Sequence, residues 1–94
     1  LQLHIEKLFS KLEYDFVRHP KFDKENIPDF LFYPGICMEV KIKGTKKDIY
    51  RQCQRYCEFE QVERLLLVTS RSVKLPLEMN GKPCHVFNLS TAWL

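Results

Sequence analysis

The chain has 94 residues, of which 45% are hydrophobic and 29% are charged, and this composition is ordinary for one small globular domain. Nothing in it is repeated or of low complexity. No apolar run is long enough to span a membrane, and no secretory signal is recognisable, so we expect neither a membrane partner nor secretion. The net charge of +3 permits an anionic partner without requiring one.

The four cysteines lack the close pairing that is typical of structural zinc sites. Cys53 and Cys57 are one helical turn apart, and together with Cys37 and the pair Cys84-His85 they could be drawn as a metal site. Scattered helix and strand positions are nevertheless unusual for zinc. We therefore expect buried free thiols and an intracellular setting, in the cytoplasm, the nucleus or, for a viral protein, the host cell.

The first part of the chain changes from a helical to a weakly alternating pattern. Residues 1–12 carry apolar side chains at helical spacing, which predicts an amphipathic helix with Glu6 at the edge of its apolar stripe. Residues 13–18 alternate weakly and are predicted to form the first strand, which His19-Pro20 ends because proline removes a ladder donor. The polar residues 21–26 form either a loop that touches a substrate or a mobile connector.

Two runs of aromatic and branched residues flank Pro34-Gly35, which indicates a β-hairpin. A three-residue loop beginning at Tyr33 gives Pro34 an early turn position and Gly35 the left-handed position that closes such loops. In this register Asp29 lies opposite Glu39, with Cβ atoms about 5 Å apart. Alternation in the second strand predicts one face with Met38, Val40 and Ile42 and another with Cys37, Glu39 and Lys41.

Two carboxylates this close repel each other unless a positive charge lies between them. Lys41 supplies part of that charge, and a hard divalent cation bridged by Asp29 and Glu39 would supply more, since carboxylate oxygens are ligands that Mg²⁺ prefers. The alternative is a plain hairpin whose solvent face carries Asp, Glu and Lys.

A helix is predicted over residues 46–61, with Thr45 as its N-cap. The residues expected to face the sheet are Ile49, Cys53, Tyr56 and either Phe59 or Glu60. Residues 64–70 contain the apolar run Leu65-Leu66-Leu67-Val68, which is typical of a central strand buried on both faces. A strand, helix, strand unit implies a right-handed crossover and parallel pairing, so the predicted sheet is mixed.

The C-terminal part has several breakers, namely Pro76, Asn80-Gly81 and Pro83. Residues 70–82 are therefore predicted to be loop-rich, with Leu75, Leu77 and Met79 as a short cover over the core. Residues 84–89 are predicted to form a last edge strand, and Ser90 to start a short helix. Trp93 and Leu94 would pack on the core or form a dimer contact.

The predicted helix over residues 46–61 also carries a basic stripe. Lys47, Arg51 and Arg55 recur at four-residue steps, and Lys43 and Lys46 extend the stripe at the start of the helix. Such a stripe suits a phosphate backbone, where binding is electrostatic and largely independent of sequence. The alternative is an ordinary solvated helix face.

The pair Pro28-Asp29 followed by Glu39-Val40-Lys41 resembles the defining motif of the PD-(D/E)XK nuclease superfamily. The order of predicted elements is also similar to that superfamily: a helix, three strands, a helix, then one or two strands. The resemblance implies a restriction-endonuclease-like α/β fold with a mixed sheet, in which residues 1–94 form a single nuclease domain.

Gln52 and Tyr56 share a helix face one turn apart and resemble the Gln-x-x-x-Tyr motif of the RecB-like and virus-type nuclease branches. The short chain resembles most the virus-type replication and repair nucleases and the archaeal Holliday-junction resolvases. The resemblance therefore implies an endonuclease dependent on Mg²⁺ or Mn²⁺ that acts on structured or branched DNA, and it implies a homodimer because two strands need two sites.

The resemblance also assigns roles to individual residues. Asp29, Glu39 and the carbonyl of Val40 would bind the metal, and Glu6 would reach the site from the first helix. For Glu6 the alternative is a solvated side chain that pairs with a neighbour. Lys41 would orient the attacking water or stabilise charge on the phosphate, and Gln52 and Tyr56 would hold the strand or the scissile phosphate. A non-catalytic nucleic-acid-binding domain and a protein-interaction module are the competing functions, and no base-reading element is identifiable.

Overall fold

The computed structural model of the protein describes residues 4–7 and 15–92. A helical turn covers residues 4–7; the rest of the predicted first helix lies outside the described residues, as do Trp93 and Leu94. The strands are β1 (Phe16–Arg18), β2 (Phe30–Phe32), β3 (Ile36–Lys41), β4 (Arg64–Thr69), β5 (Glu78–Met79) and β6 (Lys82–Asn88). The helices are α1 (Lys46–Tyr56) and α2 (Leu89–Ala92).

Within residues 15–92, the six strands form one mixed sheet in the order β1-β2-β3-β4-β6-β5. The pairs β1–β2, β2–β3 and β5–β6 are antiparallel, whereas β3–β4 and β4–β6 are parallel. The predicted α/β class and mixed sheet are thus confirmed. This topology brings the carboxyl ends of β1, β3, β4 and β6 and the amino end of β2 together at one side of the sheet, here named the carboxyl edge; the opposite side is the amino edge.

Each face of the sheet carries its own apolar cluster. The face covered by α1 contains Ile49, Cys53 and Tyr56 of the helix, together with Cys37, Leu65 and Leu67 of the sheet. The other face contains Phe30, Phe32, Met38, Val40 and Val68. The predicted alternation of β3 and the burial of β4 on both faces are therefore confirmed, although Ile42, beyond the end of β3, is half-exposed.

The hairpin has the predicted register, with Phe30 opposite Met38 and Phe32 opposite Ile36. The peptide between Tyr33 and Pro34 is cis. The left-handed conformation predicted for Gly35 is wrong, because its φ is not positive. Glycine is needed there for space, since a Cβ would lie 2.8 Å from Glu63 Cγ and 2.9 Å from the carbonyl oxygen of Gln61.

Helix α1 begins as predicted but ends at Tyr56, five residues before the predicted end. At its start, the N–H of Asp48 donates to Thr45 Oγ1 at 3.1 Å, which confirms the N-cap. After Tyr56 the chain tightens into turns, with the N–H of Phe59 donating to Tyr56 O and the N–H of Val62 donating to Phe59 O. The helix ends at Tyr56 because the chain then turns back toward the sheet. These turns bring Val62 into the core, where it is fully buried.

The end of the chain forms a hairpin that the sequence did not predict. Asn80 and Gly81 both have positive φ, 53° and 77°, and reverse the chain between β5 and β6. As a result β6 begins at Lys82 rather than at residue 84, and Lys82 and Pro83 pair with β5. Within the described residues, the ladder partners of residues 84–88 lie in β4 alone, so this part of β6 forms an edge as predicted. Met79 is buried as predicted, but Leu77 is 90% exposed and covers nothing.

The four cysteines are free and buried, as predicted. Burial raises the pKa values of all four thiols, so they remain protonated and behave as small apolar side chains. None of the helices in the described part of the chain is long and apolar enough to cross a membrane.

Candidate active site

Asp29 and Glu39 lie at the carboxyl edge and are locked to each other through the backbone. The N–H of Asp29 donates to Glu39 Oε1 at 3.0 Å, and the N–H of Val40 donates to Asp29 Oδ2 at 2.7 Å. Both residues are buried, with Glu39 only 3% exposed. The register of β2 and β3 therefore holds two carboxylates opposite each other, in the arrangement predicted from the hairpin.

The negative charge of this pair is only partly balanced. Burial, followed by the charge of Asp29, raises the pKa of Glu39 to about 7, and the ammonium of Lys41 opposes this rise. Lys41 Nζ lies 3.4 Å from Glu39 Oε2. A cation placed between the carboxylates would relieve the remaining repulsion, so the site has the electrostatics of a cation-binding site.

Helix α1 reaches the same carboxylate through the predicted Gln52 and Tyr56 pair. Gln52 Nε2 donates to the Tyr56 hydroxyl at 2.8 Å, and that hydroxyl donates to Glu39 Oε2 at 3.5 Å. Burial raises the pKa of Tyr56, which keeps the phenol protonated and able to donate. These two residues therefore orient Glu39 Oε2, the oxygen that does not accept from Asp29.

His19 also belongs to the carboxyl edge. Its main-chain N–H donates to the main-chain carbonyl oxygen of Asp29 at 2.8 Å, and its side-chain Nε2 lies 3.9 Å from Asp29 Oδ1. His19 adopts a left-handed conformation with φ of 52°. The sequence indicated only the end of β1 here, because the long loop between β1 and β2 contains no turn signal that fixes the register placing His19 opposite Asp29.

Glu6 pairs with Arg18 of β1, with 3.2 Å between Glu6 Oε2 and Arg18 Nη1. That oxygen is buried and makes no hydrogen bond to a residue that the structure describes. Over residues 4–7 and 15–92, no three His, Cys, Asp or Glu side chains are grouped so that they could hold a metal ion. The carboxylates that the structure brings together are thus Asp29 and Glu39, without Glu6.

The predicted basic stripe divides into two parts. All five members are exposed, and Lys43, Lys46, Lys47 and Arg51 make no ion pair with a residue that the structure describes. Arg55 differs in that its Nε donates to Asn26 Oδ1 at 3.2 Å, and Asn26 in turn bonds to Asp23. Arg55 therefore holds residues 21–26 against α1, and Phe22 packs edge-on against Tyr56. These contacts fix the loop next to Tyr56.

Thr69, at the end of β4, makes a further contact that the sequence did not indicate. Its Oγ1 donates to the carbonyl oxygen of Lys41 at 2.5 Å and accepts from the N–H of Arg71 at 3.0 Å. Thr69 is fully buried. The ends of β3 and β4 are therefore joined by a side-chain bond next to Lys41, in addition to the parallel ladder.

Comparison of the chain with models of protein families, with curated proteins and with solved structures finds no match. The resemblance to the PD-(D/E)XK superfamily therefore depends on the motif residues of the sequence.

Proposed function

We propose that this domain is a metal-dependent endonuclease with a restriction-endonuclease-like fold, which hydrolyses phosphodiester bonds of structured or branched DNA. The observation that carries the proposal is the locked pair of buried carboxylates, Asp29 and Glu39, with Lys41 at 3.4 Å from Glu39. This set matches the motif of the nuclease superfamily residue by residue. A hairpin with incidental surface charges would leave these side chains exposed to water.

The donor set fits Mg²⁺ or Mn²⁺. Asp29 and Glu39 supply hard oxygens whose repulsion a cation relieves, and the carbonyl of Val40 would be the third protein ligand. Magnesium keeps several of its waters, so few protein ligands suffice. When bound there, the metal would make a coordinated water more acidic and offset negative charge on the phosphate.

Side chains of the protein would position the attacking water, the metal ligands and the nucleic-acid strand. Lys41, held beside Glu39, is placed to orient the attacking water or to donate to the phosphate oxygens as charge builds on them. Tyr56, supported by Gln52, keeps Glu39 Oε2 in position. The exposed basic side chains of α1 would bind neighbouring phosphates of the strand.

The proposal is tested by incubating the protein with supercoiled plasmid, single-stranded DNA and a four-way junction, in Mg²⁺ or in Mn²⁺. We expect cutting that needs the metal and that is nearly abolished in Glu39→Ala and in Lys41→Ala, with folding retained by circular dichroism. Glu63→Ala, which removes an exposed glutamate at the amino edge, is the matched control and should cut normally. Cutting by a folded Glu39→Ala protein would contradict the proposal, as would wild-type protein that neither cuts nor is stabilised by either ion.

A further inference from the structure

Arg71 lies two residues beyond β4, at the carboxyl edge, and its main chain is held on both sides. Its N–H donates to Thr69 Oγ1 at 3.0 Å, and its carbonyl oxygen accepts from Asn88 Nδ2 of β6 at 3.3 Å. Thr69 also bonds to the carbonyl oxygen of Lys41. The position of Arg71 is therefore fixed relative to the ends of β3, β4 and β6.

The side chain of Arg71 is exposed and makes no ion pair with any residue in the described part of the chain. It differs in this from Arg18, which pairs with Glu6, and from Arg55, which bonds to Asn26. An arginine with a fixed main chain and an exposed guanidinium is suited to bind an anion from solution, because its planar fork matches phosphate oxygens.

The position of Arg71 relative to the carboxylates suggests which anion this is. Lys41 and Thr69 are register partners on neighbouring parallel strands, which lie about 4.8 Å apart. Asp29 adjoins Glu39 on the β2 side, and Arg71 follows β4 on the other side. A strand of nucleic acid laid along the carboxyl edge with one phosphate at Lys41 would thus meet Arg71 next, at the edge where ligands of parallel sheets commonly bind.

We infer that Arg71 binds the backbone phosphate of the nucleic acid next to the one that is cleaved, on the β4 side of the site. The inference rests on the proposed function, because it assumes that the scissile phosphate lies at Asp29, Glu39 and Lys41. It adds a contact outside the basic stripe of α1 and gives the bound strand a path across the end of the sheet.

The test compares Arg71→Gln with Arg64→Gln in binding a labelled single-stranded oligonucleotide, measured by fluorescence anisotropy without divalent metal. Arg64 is the first residue of β4, at the amino edge, whereas Arg71 follows β4 at the carboxyl edge, and both are exposed. Each variant removes one positive charge. We expect Arg71→Gln to bind roughly three- to fivefold more weakly at low salt and to reduce the salt slope by about 0.7. Arg64→Gln should bind like the wild type, and Arg71→Lys should recover part of the affinity.

Two results would overturn the inference alone: unchanged affinity and slope in Arg71→Gln, or an equal loss of affinity in Arg64→Gln, while the wild type still binds and cuts. A wild type that neither binds the oligonucleotide nor cuts DNA in Mg²⁺ or Mn²⁺ would overturn the proposed function and this inference together. Thermal melting of each variant would show whether it is folded. We expect Arg71→Gln to fold normally, because Arg71 bonds to its neighbours through its main chain.

Discussion

At the scale of single residues, Glu39 links stability to pH. Its carboxyl has a pKa of about 7 in the folded protein, against an ordinary value of 4.5. Between these values the folded state keeps a proton that the unfolded state has lost, so stability falls as pH rises through this window and stays reduced above it. The shift corresponds to about 3 kcal/mol in the free energy of unfolding.

We therefore expect the melting temperature of the metal-free protein to be lower at pH 8 than at pH 5, and Glu39→Gln to flatten much of that fall. The amide cannot ionise, yet its oxygen can still accept from the N–H of Asp29. Melting curves of the wild type, Glu39→Gln and the exposed-site variant Glu63→Gln would measure this. An equal fall in all three proteins would show that Glu39 does not govern the pH dependence.

The same carboxylate predicts how the fold responds to a metal ion. At pH 8, Mn²⁺ bound between Asp29 and Glu39 should stabilise the wild type by about 2.7 kcal/mol at a hundredfold excess over the dissociation constant, because it binds only the folded state. Chelation should reverse the gain, and Glu39→Gln should show little of it. If Mn²⁺ raises the melting temperature of Glu39→Gln and the wild type equally, the ion binds elsewhere.

At the scale of elements, the β2–β3 loop packs closely against the start of β4. The carbonyl oxygen of Gly35 accepts from the N–H groups of Glu63 and Arg64, so the loop and β4 are drawn together. Gly35→Ala should destabilise the fold by about 2 kcal/mol, since its Cβ would overlap Glu63 Cγ and the carbonyl oxygen of Gln61. Urea unfolding would measure the decrease.

The control is a background in which Glu63 is truncated to alanine, which removes the overlap with Glu63 Cγ but leaves the overlap with the carbonyl oxygen of Gln61. In the double variant Gly35→Ala, Glu63→Ala the methyl still meets the backbone of Gln61, so we expect only partial recovery relative to Glu63→Ala alone. A neutral Gly35→Ala would mean that the junction has room to relax.

The elements also show what the sequence could and could not predict. Alternation and loop length sufficed to predict that Asp29 lies opposite Glu39, because both depend on residues within one hairpin. The early end of α1 and the need for Gly35 depend on packing against Gln61, Val62 and Glu63, which local patterns do not contain. The contact of Thr69 with Lys41 requires the parallel register of β3 and β4, which are joined through α1. The contact of His19 with Asp29 requires a register across the long β1–β2 loop, so both contacts appear only in the folded structure.

At the scale of the molecule, charge is distributed unevenly between the two edges of the sheet. The carboxyl edge and the start of α1 carry Lys41, Lys43, Lys46, Lys47 and Arg71. The turns that follow α1 lead to the amino edge and expose Glu58, Glu60 and Glu63. The mild net charge of +3 therefore combines a mainly basic surface near the carboxyl edge, where Asp48 is also exposed, with a mainly acidic surface near the amino edge, where Arg64 is also exposed. The candidate site lies on the mainly basic side.

If this distribution guides the substrate, binding should respond to where charge is changed rather than to how much. Lys47→Gln with Arg51→Gln removes two positive charges from α1 and should weaken oligonucleotide binding, with the salt slope reduced by roughly 0.9 for each duplex phosphate that is no longer neutralised. Glu58→Gln with Glu60→Gln changes the net charge by the same amount in the opposite direction, but beside the amino edge, and should leave affinity almost unchanged. Anisotropy titrations at several salt concentrations would separate the two effects. A gain in affinity from the Glu58 and Glu60 pair as large as the decrease from the α1 pair would mean that total charge governs binding and that the carboxyl edge has no special part in it.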